Sequence, residues 1–69
     1  MEYLVVIEDA ENNLAAYSPD LPGCVATGKD AADVLQNMEG AIRLHLRGLR
    51  ADGLPVPEPR ARAERIRIS

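Results

Sequence analysis

The protein is a chain of 69 residues with one cysteine, one histidine and a net charge of −3. A lone cysteine excludes an internal disulfide, and with a single histidine it cannot close a structural zinc site. A core of this size is marginal, so association is the stabilising device left open, and a homodimer or an obligate partner is expected.

The opening run, MEYLVVIED, is too short and lacks the positive flank of a secretory signal. No stretch approaches the roughly 20 apolar residues of a membrane span, so a cytoplasmic protein without a membrane partner is expected. The acidic balance argues against bulk attraction to polyanions. Charge is nevertheless uneven: every arginine lies at or beyond Arg43, whereas residues 1–39 hold most of the acids and a single base, Lys29.

Residues 2–8, EYLVVIE, are apolar on both alternating sides, which predicts a central strand covered on both faces. The Asp- and Asn-rich stretch 9–13 has turn chemistry, and LAAYS (14–18) then reads as a second strand in a hairpin with the first. CVATG (24–28) follows as a short third strand. Asp30 predicts a helix N-cap, with Asp33 as a short-armed version of a capping box. Ala31, Val34, Leu35, Met38, Ala41, Ile42, His45, Leu46 and Leu49 fall on one stripe at helical spacing, leaving Leu44 off it. Arg43, Arg47 and Arg50 crowd the negative end of the helix, Gly53 supplies a left-handed cap and Pro55 prevents continuation. The connector LPVPEP leads to ARAERIRIS (61–69), where Ile66 and Ile68 alternate with Arg65 and Arg67 as in a final strand. The expected fold is α+β: one two-layer domain over residues 1–69, β-β-β-α-β, with a long helix packed on a four-stranded sheet.

The stretch YSPDLPGCVATGK (17–29) sets two prolines, an aspartate and a glycine before the third strand. Each proline fixes φ near −65° and biases its predecessor toward extended backbone, while Gly23 can take a positive φ. Such a loop is either a stiff connector or a pre-ordered display of Asp20 and Leu21 to a partner. Physics alone leaves both open.

The run Ser18-Pro19-Asp20-Leu21-Pro22-Gly23-Cys24, followed by Thr27-Gly28, Leu35, Asn37, Asp52-Gly53, Pro55 and Pro57, resembles the HicB-like antitoxin family in order and spacing. Ser18 stands where that family often has an aromatic residue, and Lys29-Asp30 replaces a common Asp-Ser or Asp-Thr pair. The resemblance implies a fold like half of a ribonuclease H domain and a HicA-like toxin as partner, a small ribonuclease that cleaves messenger RNA. Many members also carry a C-terminal DNA-binding segment. Here a solo HicB-type domain without that segment is expected.

Catalysis is not expected, and neither is a cofactor or metal. Glu8, Asp9, Glu11, Asp20 and Asp30 fall in turns or at a helix cap, where acids serve solvation and capping, and a two-metal site needs carboxylates converging from rigid elements. His45 lacks an orienting carboxylate in sequence, and Cys24 lacks a CxxC pattern or a nearby histidine. The expected function is a protein-binding module that covers the toxin's active and RNA-binding face, with Glu11, Asp20 and Leu21 as contacts. The alternatives are an orphan structural domain or a dimer that binds nucleic acid through Arg65 and Arg67; direct nucleic-acid binding is the weaker reading because no aromatic accompanies them.

Overall fold

The computed structural model describes residues 1–69. The amide of Ala10 donates to the carbonyl of Asn13 at 2.9 Å and reverses the chain. This turn joins β1 (Val6–Asp9) to β2 (Leu14–Tyr17), which pair antiparallel from Asp9 opposite Leu14 to Val6 opposite Tyr17. β3 (Val25–Gly28) pairs antiparallel with β2 on its other side, giving a three-stranded sheet in the order β1-β2-β3.

α1 (Ala31–Ala51) follows and lies over β3 and β2. Asp30 caps it as the sequence predicts: its Oδ1 accepts from the Asp33 amide at 2.8 Å. Asp33 reaches one residue further back than in a capping box and accepts from the Lys29 amide at 2.9 Å. At the other end Gly53, at φ 68°, allows two closing bonds, Gly53 N to Arg50 O and Leu54 N to Leu49 O. That pair is a Schellman motif, possible because glycine meets no Cβ penalty there.

Alternation decides the two faces of the sheet. Ala16 is buried and pairs with Ile7 and Ala26, so these residues and Leu14 face α1. The helix meets them with Val34, Met38 and Leu46, and Ala41, Ile42 and Leu49 pack around the same cluster. Gly28 is buried where β3 meets the first helical turn; a Cβ there would lie 2.4 Å from the Val34 amide nitrogen. The Asn37 side-chain amide donates to the Thr27 carbonyl at 2.8 Å and ties the helix to β3.

Three expectations are corrected. The sheet has three strands rather than four: residues 54–69 adopt no helix or strand, because their backbone finds no ladder partner and beyond Ala61 makes no hydrogen bond within the chain. The first strand is an edge strand that begins at Val6, and only one of its faces lies toward the helix, because α1 sits over the β2–β3 side. For the same reason Ala31 and Leu35, at the margin of the predicted stripe, remain exposed.

Candidate partner-binding surface

Residues 18–24 make two consecutive turns. The Leu21 amide donates to Ser18 O at 3.1 Å, and the Cys24 amide donates to Leu21 O at 3.0 Å. Pro19 and Pro22 take the second position of each turn, where a fixed φ is already correct. Gly23, at φ 82°, provides the positive φ that the third position of a type II turn needs. The two turns share Leu21 as their corner, and its side chain is 0% exposed, packed in the cluster with Ala16, Cys24, Val34 and Met38. The expectation that the loop displays Leu21 is therefore corrected: doubling back twice within seven residues drives that side chain into the core. Ser18 is buried beside it with a hydroxyl that makes no hydrogen bond. Burial also pushes the Cys24 thiol above its ordinary pKa. The thiolate is the reactive form, so this thiol is a poor nucleophile.

Asp20 is half-buried, and its Oδ2 accepts from two backbone amides, Arg60 N and Ala61 N, each at 3.1 Å. The Tyr3 hydroxyl donates to the Pro57 carbonyl a few residues earlier. Together these bonds strap the C-terminal segment against residues 2–4. Hydrogen bonds to charged groups contribute about 1.5–3 kcal/mol, less where water competes. Asp20→Ala is expected to lower global stability by only about 1 kcal/mol. The same substitution should remove hydrogen-exchange protection at Arg60 and Ala61 and speed tryptic cleavage after Arg60. Unchanged protection at those amides would show that the carboxylate does not hold the segment.

Glu8, Asp9 and Glu11 are exposed around the β1–β2 turn. Glu11 and Asp20 stand beyond opposite ends of β2, a strand about 13 Å long. The surface that joins them is the sheet face turned away from α1. Val6, Ala15, Tyr17 and Val25 lie on it, and Val25 is 65% exposed. No helix covers this face, which makes it the candidate surface for a partner. Sequence reasoning missed it by reading the first strand as covered on both sides. The signal was present in Tyr17 and Val25, which alternate with the buried Ala16 and Cys24.

The remaining candidates do not converge. No group of three or more His, Cys, Asp or Glu side chains is placed to hold a metal ion. Asp30 is engaged in the helix cap, and His45 is half-buried on α1 with no hydrogen-bonded carboxylate. Arg65 and Arg67 are exposed in the C-terminal segment. No helix is long and apolar enough to cross a membrane.

Comparison with known proteins gives this geometry a family. The family "HicB_like antitoxin of bacterial toxin-antitoxin system" matches the chain over residues 3–67. A UPF0150 protein of Helicobacter pylori is 47% identical over 49 residues, which are 71% of this chain and 68% of that protein. A UPF0150 protein of Thermoplasma acidophilum is 33% identical over 69 residues, 99% of this chain and 97% of its own length. Among solved structures, a chain of the "HicA3 and HicB3 toxin-antitoxin complex" superposes with a TM-score of 0.75 at 32% identity, covering 87% of this chain and 70% of that one. The chain belongs to the HicB-like antitoxins of bacterial toxin–antitoxin systems.

Proposed function

We propose that the chain neutralises a HicA-type ribonuclease toxin by binding it and covering its active and RNA-binding face, with no reaction of its own. The observation that carries this reading is the superposition on a chain of a toxin–antitoxin complex over most of the present chain. The uncovered sheet face provides the means. Its apolar centre at Tyr17 and Val25 is bordered by Glu8 and Glu11, an arrangement suited to a basic partner. Complementary charge there would speed encounter and disfavour wrong partners. Glu11 and Asp20 are assigned to the two ends of this interface, Asp20 chiefly by holding the C-terminal segment in place.

Val25→Arg combined with Glu11→Lys is expected to weaken toxin binding at least tenfold, which is about 1.4 kcal/mol. Because both side chains are exposed, the helical circular-dichroism signal should be unchanged. Titration calorimetry against the toxin decides it: undiminished affinity would remove this face from the account.

A further inference from the structure

We propose that residues 62–68 form a strand on a second copy of this chain, lying along the free edge of its β1 and the residues that lead into it and placing Ile66 and Ile68 in the groove between residues 1–5 and α1. The proposal is independent of the antitoxin reading and begins from the segment itself. Ile66 and Ile68 are 82% and 85% exposed, and they alternate with Arg65 and Arg67 at strand spacing. Beyond Ala61, no group of the segment makes a hydrogen bond within the chain. The molecule is 47 Å long, although α1, its longest element, accounts for about 31 Å. A strand-patterned segment thus leaves the body of the molecule with its backbone and its apolar side unsatisfied.

The receiving site is the free edge of β1. The opposite edge of the sheet, β3, is partly closed by the bond from Asn37 to the Thr27 carbonyl, whereas β1 has no neighbour on its outer side. Beside β1 a groove of about 640 Å³ opens between residues 1–5 and the helix. Met1, Tyr3 and Val5 line one wall, and Leu35, Ile42 and Leu46 line the other. Leu35 is the exposed margin of the helix stripe there, while Ile42 and Leu46 lie deeper against the core.

Charge sets which side of the incoming strand faces in. The groove is rimmed by Arg43, Arg47 and Arg50 against a single acid, Glu39, which is already paired with Arg43, so Arg65 and Arg67 turned toward it would meet a net like charge. With the isoleucines inward, both arginines fall on the outer face. There Glu8 projects, because it pairs with Ala15 on the side away from the helix. Opposite charges then meet across the new strand pair.

The occupant is a second copy because it alone presents this segment and this edge together. Asp20 and Tyr3 hold residues 57–61 against the body and leave the isoleucines of the same chain out of its own groove. Reciprocal exchange about a two-fold axis would satisfy both groove and segment in each subunit. It would also enlarge a hydrophobic core of only 6 buried residues within the single chain.

The test is the mass of the full chain by size-exclusion chromatography with light scattering at high micromolar concentration. The unaltered protein should elute at twice its 7.5 kDa. Ile66→Asp with Ile68→Asp, and separately Leu35→Lys in the groove wall, should each give a monomer with unchanged helical content. Leu44→Lys, on the exposed helix face outside the groove, should remain dimeric. A monomeric unaltered chain overturns the proposal, as does a dimer that survives the paired isoleucine change. A dimer lost with the isoleucines but retained with Leu35→Lys refutes the groove as the receiving site.

Discussion

Leu21→Ala is expected to cost about 2–5 kcal/mol, as truncation of a fully enclosed leucine does when its surroundings cannot collapse into the space. The side chain is 0% exposed and held by one turn on either side, each closed by a backbone bond and stiffened by a proline. Those turns restrict the relaxation that would otherwise reduce the penalty. A chain of this length has a total stability of about 3–10 kcal/mol, so the variant stands near the edge of folding. Urea denaturation followed by circular dichroism should show its midpoint collapsing toward zero. A shift of less than about 1 kcal/mol would mean that Leu21 is not the core anchor of the loop.

Gly28→Ala should be at least as severe, although it adds only one methyl group. The new carbon would stand 2.4 Å from the Val34 amide nitrogen and 2.6 Å from its Cα, both backbone atoms of a capped helix start. Flexible side-chain ends can give way to such a carbon; these atoms can do so only if α1 shifts off the sheet. Overpacking costs about 1–3 kcal/mol when side chains absorb it, and more when the backbone must move. A cost above about 3 kcal/mol is expected, which lowers the melting temperature by more than about 12 °C in a domain this small. Gly40→Ala, on an open side of the same helix, is the matched control. It should be neutral or stabilising, since alanine is the better helix former.

What could be read from the sequence was what local chemistry decides. Asp30 and Gly53 begin and end the helix because a side-chain acceptor and a left-handed backbone act on neighbours within four residues. Pro19, Pro22 and Gly23 likewise announced turns. The direction of Leu21 was hidden, because it depends on how two turns add together and not on any residue's preference. The strap from Asp20 was hidden more deeply. Its donors are backbone amides 40 and 41 positions away, and a backbone amide leaves no mark in a sequence. Alternation in residues 65–68 announced a strand that the chain does not form, because alternation identifies faces and never the neighbour. The outer sheet face was misjudged for a related reason: apolar residues on both sides of 2–8 say that both faces favour cover, not that the chain itself supplies it. Cys24 adds a small pH dependence of the same tertiary origin. Since burial raises its pKa in the fold, its contribution to stability is complete below the thiol's ordinary value and is lost as pH rises through the raised one.

The chain is a HicB-like antitoxin, and its proposed role is to silence a HicA-type ribonuclease by binding it. The direct measurement is messenger-RNA cleavage by a purified HicA-type toxin, assayed with increasing amounts of the purified chain. Cleavage should fall to background near a fixed stoichiometric ratio, and Val25→Arg with Glu11→Lys should require far more protein to reach the same point. Undiminished cleavage in the presence of excess folded chain, with no complex in light scattering, would contradict the account.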